Sequence, residues 1–115
     1  MGGYLREVNI KADLPTVDVA IRRVTYNLKN AKPFGISAIK LIHGYGSTGK
    51  GGSIRTETRK YLDRQKQQRH IRDYIKGESF SIFDEATRAA FAVCGELRRD
   101  SDLDRHNNGI TIVIL

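Results

Sequence analysis

The stretch from Leu41 to Arg55 reads LIHGYGSTGKGGSIR. It begins as an apolar run that contains His43, continues through five glycines, and ends in a strongly basic segment. Glycine lets a backbone turn sharply and approach a ligand closely, because no Cβ stands in the way. A loop of this kind, between a strand and a helix N-terminus, presents backbone N–H groups to an anion. We therefore predict a phosphate-binding loop at this position.

The composition is that of one globular domain spanning residues 1–115. Hydrophobic residues make up 39% of the chain and charged residues 29%, which fits a folded soluble protein rather than a disordered one. No apolar run approaches the roughly 20 residues needed to cross a bilayer, and the N-terminal segment has no signal-peptide core. The single Cys94 excludes an internal disulfide and a cysteine metal cluster. We expect a cytoplasmic protein without a membrane partner, whose oligomeric state the sequence does not predict.

The basic residues are concentrated in one part of the chain. The formal net charge is +7, and residues 50–72 contain eight basic residues against two acidic ones. After Arg72 the balance reverses, with eight carboxylates against five cations. The excess positive charge begins at the glycine loop and continues into the segment that follows it. Such asymmetry indicates a polyanionic partner.

Hydrophobic periodicity predicts four strands and three helices in the order β-α-β-α-β-α-β. Strands are predicted at residues 5–10, 36–42, 71–75 and 110–115, the second and fourth being apolar enough to lie inside a sheet. Helices are predicted at about 16–31, with Thr16 as the N-cap, and at about 53–67 and 83–94. Pro33 and Gly35 end the first helix, and residues 96–109 are polar and rich in turns. The predicted fold is an α/β (α+β) sandwich, with a four-stranded mixed sheet and helices packed on it.

This order of elements resembles the small MutS-related (Smr) domain family, as does one motif. In that family a strand ends in His-Gly-x-Gly, and a glycine-rich turn leads into a helix that starts near a Leu/Ile-Arg pair. The corresponding residues here are His43-Gly44-Tyr45-Gly46, then Ser47 to Gly52, then Ile54-Arg55. The closing strand is also similar, with Gly109 leading into an apolar run. The resemblance covers about residues 5–69 and 109–115.

The resemblance implies a domain that binds nucleic acid, either DNA or RNA. The loop, the basic helix and the family motif together define the candidate phosphate-binding and nucleic-acid-binding residues. They are His43, Gly44, Tyr45, Gly46, Ser47, Gly49, Lys50, Gly51, Gly52, Arg55, Arg59 and Lys11. No cofactor and no metal site are predicted for the binding function.

One departure from the family pattern bears on catalysis. Many Smr domains carry Leu-Asp-x-His-Gly at the end of the first strand, where this chain has Asn9 in place of the acid and Lys11 in place of the histidine. An Asp and a His together bind a metal or relay a proton, whereas an Asn and a Lys do neither well at neutral pH. Some family members are DNA-nicking or RNA-cleaving endonucleases, so an endonuclease is an alternative function. It would use His43 as a general acid or base, or to polarise the scissile phosphate, with Asp13 as the nearby carboxylate and a divalent metal such as Mg²⁺.

A second departure is the segment from Lys76 to Asn108, which is longer than the family usually has there. It is predicted to be an added helix that packs on the sheet, or a surface for a partner. The second possibility makes a protein-interaction module a further alternative function.

Several motif residues have two interpretations. Residues 44–50 nearly match a P-loop, but Gly51 stands where a Ser or Thr would hold Mg²⁺, which argues against nucleotide hydrolysis. His43 either contacts a phosphate or orders the loop by hydrogen bonding to a neighbouring carbonyl. Tyr45 either stacks on a base or covers the adjacent helix. The basic face of the second helix is either solvated or binds phosphate, with Lys50 and Arg55 as the first candidates and Arg59 next.

Overall fold

The computed structural model describes residues 3–45 and 50–115, without the side chain of Lys50. In these ranges the strands are β1 (Tyr4–Asn9), β2 (Ile36–Ile42), β3 (Asp73–Lys76) and β4 (Ile110–Ile114). The helices are α1 (Val17–Asn30), α2 (Lys50–Gln67) and α3 (Glu85–Val93), and short 3₁₀ helices cover Lys32–Phe34, Gly77–Ser79 and Gly95–Arg99. The predicted order of elements is confirmed. None of the described helices is both long and apolar enough to span a membrane.

The strands form one mixed sheet in the order β1-β2-β4-β3. β1 is parallel to β2, and β4 runs antiparallel to both β2 and β3. The predicted four-stranded mixed sheet is confirmed, as are the interior positions of β2 and β4. This topology brings the ends of β1, β2 and β3 together with the start of β4. We call this end of the sheet the loop edge; it comprises Lys11, residues 43–45, Gly77–Ser79 and residues 105–109.

Each face of the sheet is covered by helices. On one face, α1 and α2 pack over a cluster that includes Val24, Leu41 and Leu62. On the other face, α3 and the 3₁₀ helix Gly95–Arg99 pack over a cluster that includes Phe80 and Ile112. Part of the Lys76–Asn108 segment therefore forms a second helical layer, which gives the sheet a buried face on both sides.

Local sequence signals explain where the helices begin and end. Thr16 caps α1, its hydroxyl oxygen accepting a hydrogen bond from the N–H of Val19 at 3.3 Å, as predicted. Asp84 caps α3 in the same way through the N–H of Thr87 at 2.9 Å. Gly35, with φ at +74°, makes the left-handed turn that leads from α1 into β2.

Three predicted boundaries were wrong by a few residues. α2 begins at Lys50 instead of 53, so Gly51 and Gly52 lie in its first turn and not in the loop. β3 begins at Asp73, and the buried Ile71 precedes it. α3 begins at Glu85, because the Asp84 cap sets its first turn.

Candidate functional site

His43 follows the last residue of β2 and is completely buried at the loop edge. Its Nδ1 lies 2.9 Å from the carbonyl oxygen of Gly44 and its Nε2 lies 2.8 Å from Oγ1 of Thr111. Since a carbonyl only accepts, Nδ1 carries the proton and Nε2 of the neutral ring accepts from the Thr111 hydroxyl. Burial lowers the pKa of His43 to about 4, and the positive charges of Arg59 and Arg55 act in the same direction. The imidazole is therefore neutral at physiological pH.

A row of hydrogen bonds extends from His43 to the surface. Arg59 on α2 donates from Nε to Oγ1 of Thr111 at 3.2 Å, and its two terminal nitrogens bind the carboxylate of Glu78 at 2.9 and 2.7 Å. Burial raises the pKa of Glu78, but its contact with Arg59 outweighs this, so the net effect is a lowered pKa. Arg59 is therefore held in place by a carboxylate of the protein itself.

The turn after His43 rests on Gly109. The carbonyl oxygen of Gly109 accepts hydrogen bonds from the N–H groups of His43 at 3.0 Å and Gly44 at 2.9 Å. Gly44 has φ at +74°, a conformation in which glycine is strongly favoured. The Gly44 N–H thus stabilises the turn itself, although the sequence predicted loop N–H groups that face an anion.

A buried ion pair anchors the other side of this turn. Lys40 on β2 is only 4% exposed and binds Asp100 at 3.0 Å and Asp102. Burial alone lowers the pKa of Lys40, but the contacts with Asp102 and Asp100 outweigh it, and the net effect is a raised pKa. Asp102 accepts from the side chain of Asn107, whose Oδ1 accepts from the N–H of Gly109 at 2.9 Å. The chain of contacts therefore runs from the middle of the sheet to the loop edge.

Two cations lie beside the His43–Gly44 turn. The side chain of Lys11 runs along Gly44, where a Cβ would be 3.2 Å from Cδ of Lys11. Arg55 is on the first part of α2, close enough for its charge to lower the pKa of His43. In the described ranges, neither cation forms an ion pair, whereas Lys40, Arg59, Lys60 and Lys66 all do. Lys11 and Arg55 thus place positive charge without a described carboxylate partner beside this turn.

Comparison with solved structures identifies the fold. The chain is similar to the crystal structure of the Smr domain of Thermus thermophilus MutS2, with a TM-score of 0.57 and 24% identity over 96% of each chain. The chain has the Smr fold. No protein-family model and no curated protein matches the sequence.

Within the Smr fold, the structure gathers about half of the predicted site residues. His43, Gly44, Tyr45, Lys11, Arg55 and Arg59 all lie at or next to the loop edge. Gly46, Ser47 and Gly49 lie outside the described residues, as does the side chain of Lys50, and Gly51 lies in the first turn of α2. Gly52 lies in the first turn of α2, where a Cβ would meet nothing within 4 Å. No neighbouring atom in the structure therefore requires residue 52 to be glycine.

The surroundings of His43 and Tyr45 bear on the two roles predicted for each of these residues. Both ring nitrogens of His43 are hydrogen-bonded inside the protein, which is the environment expected of the loop-ordering role. Tyr45 is 60% exposed, and its ring lies against Gly109. Arg59 binds Glu78, so it is held in place by the protein's own carboxylate.

Three residues of this site were not predicted from the sequence: Thr111, Glu78 and Lys40. Thr111 and Glu78 are separated from Arg59 by 52 and 19 positions, and no local pattern links them. Lys40 did carry a signal, since a lysine within the apolar strand ISAIKLI is expected to need buried carboxylate partners. Among the described residues, no group of three or more His, Cys, Asp or Glu side chains is arranged to hold a metal.

Proposed function

We propose that this Smr-like domain binds nucleic acid, chiefly through the sugar-phosphate backbone at the loop edge. The observation that carries the proposal is the placement of Lys11 and Arg55. They come from different elements, and neither has a carboxylate partner among the described residues. The Lys11 side chain lies along Gly44, and Arg55 is near enough for its charge to lower the pKa of His43. Cations in this state are available to phosphate, because binding a phosphate does not require them to leave an internal ion pair.

The orientation of α2 supports the same ligand. This helix has 18 residues and begins at the loop edge, with no acidic residue in its first turn. The unpaired N–H groups at a helix N-terminus and the helix dipole both favour an anion there. Phosphate bound near Lys11 and Arg55 would therefore also be attracted by the start of α2.

The other candidate residues have supporting roles in this proposal. His43 is neutral and hydrogen-bonded at both nitrogens, so we assign to it the shaping of the turn and not the contact with phosphate. Arg59 binds both Thr111 and Glu78, so it already has a carboxylate partner. Lys50 begins α2, and a contact of its ammonium group with phosphate stays a prediction from the sequence.

Salt-dependent binding of labelled RNA and DNA, measured by fluorescence anisotropy, tests the proposal. Each lost phosphate contact reduces the slope of log K against log salt by about 0.7 to 0.9. We expect Lys11→Ala/Arg55→Ala to weaken binding and reduce the slope by about 1.5, from two contacts at those values. The matched control is Lys29→Ala/Lys32→Ala, which removes two exposed charges from the opposite end of the sheet. Equal losses in both double variants would reject the loop edge as the site.

Among the described residues, no comparable arrangement of side chains supports the endonuclease or the interaction-module alternative. General acid or base catalysis by His43 would require its buried ring to give up the bond to Gly44 or to Thr111. Asn9 accepts a hydrogen bond from the N–H of Lys11 at 3.0 Å, which is a structural role at the position of the family acid. A cleavage assay beside His43→Ala tests the nuclease, and absence of nucleic-acid binding at low salt would favour the interaction module.

A further inference from the structure

Tyr45 holds a large aromatic ring at the loop edge without burying it. The residue is 60% exposed, yet its ring lies directly against the backbone of Gly109. A Cβ on Gly109 would be only 2.9 Å from Cδ1 and 3.0 Å from Cε1 of the ring. Glycine at position 109 therefore allows the ring to lie this close to the main chain, while much of the ring surface stays open to solvent.

The support beneath the ring is fixed on both sides. The carbonyl of Gly109 accepts from the N–H groups of His43 and Gly44, and its own N–H donates to Asn107. Asn107 is in turn bound to Asp102, one of the carboxylates on buried Lys40. A ring supported in this way loses little conformational freedom when a ligand binds to it, which favours binding.

The position of the ring links it to the phosphate contacts. Tyr45 directly follows Gly44, and the stem of Lys11 lies along Gly44. A nucleotide whose phosphate is held at Lys11 would place its base next to an exposed aromatic face. Phosphate contacts alone do not distinguish single strands from duplexes, so the ring supplies information that the cations do not.

We propose that Tyr45, supported by Gly109, is a base-stacking platform, and that the ligand of the loop edge is single-stranded nucleic acid. In a duplex each base is already stacked between its neighbours, whereas an unpaired base has a free face for an aromatic side chain. The proposal rests on the nucleic-acid binding proposed above and adds a selectivity to it. Stacking accepts every base, so little sequence preference is expected. RNA and DNA single strands share this chemistry.

The test is fluorescence anisotropy with a fluorescein-labelled mixed-sequence single strand, as RNA and as DNA, and with the duplexes formed by adding the complements. Tyr45→Leu keeps an apolar side chain but removes the π face, and we expect a roughly 5- to 100-fold loss of single-strand affinity. Tyr45→Phe keeps the ring and should bind within about twofold of the unaltered protein if the stacked face provides the contact. Duplex affinity should change little in either variant. The matched control is Tyr26→Leu, which alters a tyrosine that is 66% exposed on α1.

Gly109→Ala provides an independent variant, because its new methyl group displaces the ring without changing Tyr45. It should reproduce the single-strand loss at unchanged net charge, with folding verified by circular dichroism. Equal losses for single strand and duplex, or no loss in Tyr45→Leu, would overturn the stacking platform. If the stacking platform is overturned but Lys11→Ala/Arg55→Ala still weakens binding, nucleic-acid binding at the loop edge is supported without base stacking. Absence of binding to every polymer at low salt would overturn both proposals.

Discussion

Thr111 on β4 donates its hydroxyl hydrogen to Nε2 of His43 across 2.8 Å, joining the start of one central strand to the end of the other. Both side chains are fully buried. Because Arg59 donates to the same hydroxyl oxygen, Thr111 uses its donor and an acceptor position at once. The turn that follows β2 is therefore held by a hydroxyl group that no motif in the sequence indicates.

Loss of that hydroxyl group should destabilise the fold. Thr111→Val keeps the shape but leaves a buried His43 nitrogen and the Arg59 Nε–H without their partner, and we expect a cost of about 1–3 kcal/mol. Thr58→Val is the matched control, because Thr58 is also fully buried but its hydroxyl has no described hydrogen-bond partner. That control should be neutral or slightly stabilising. Urea unfolding measures both, and similar costs for the two variants would contradict the assigned hydrogen bonds.

The buried His43 should make stability depend on pH between about 5 and 6.5. Its pKa is about 4 in the folded protein, below the ordinary histidine value of 6.5, so the unfolded chain binds a proton first as pH falls. The contribution of neutral His43 to the free energy of unfolding is thus fully present above about pH 6.5. It decreases as the pH falls, by about 2 kcal/mol between pH 7 and pH 5.

His43→Gln should remove this part of the pH dependence. The measurements are made above about pH 5, because Glu78 and Asp102 also destabilise the fold when they are protonated at more acidic pH. The pKa values of both carboxyl groups are lowered in the folded protein. Urea unfolding at several pH values measures the slope. An unchanged slope in His43→Gln would show that another group titrates there.

Breaking the buried ion pair at Lys40 should be costly. Lys40→Met fits the apolar surroundings but leaves Asp100 and Asp102 close together without their cation, and we expect a loss of roughly 3–5 kcal/mol. Adding Asp100→Asn and Asp102→Asn to that variant removes the uncompensated charges and should recover much of the loss. Failure of the triple variant to recover stability would mean that Lys40 acts through packing and not through charge.

Gly77 should tolerate no side chain. A Cβ at this position would lie 1.9 Å from the carbonyl oxygen of Asn107 and 2.7 Å from that of Ile110, and backbone atoms cannot move aside easily. We expect Gly77→Ala to cost about 3 kcal/mol through overpacking. Gly95→Ala is the control, since a Cβ there meets nothing within 4 Å and should change stability by less than about 0.5 kcal/mol. Thermal unfolding of the two variants distinguishes a local clash from a general effect of replacing glycine.

Much of the architecture was predictable because its signals are local. The bounds of β2 were predicted correctly from a short apolar run, and the Thr16 cap from one hydroxyl residue before an amphipathic stretch. The errors at α2 and β3 occurred where glycine or polar residues make the ends of elements ambiguous. The candidate site was partly predictable, since a motif after a strand places Gly44 and Tyr45 at the end of a sheet, whatever their partners are.

Short stretches of the sequence encode the order of elements, the glycine turn after β2 and the excess of positive charge that follows it. Periodicity, capping residues and charge runs are properties of neighbouring residues, so they can be read without knowing the fold. It is the tertiary fold that buries His43 in its neutral form, binds Arg59 to Glu78 and places the ring of Tyr45 against Gly109. These states depend on partners 19 to 68 positions away in the chain, which the pairing of β2 with β4 and the packing of α2 bring together.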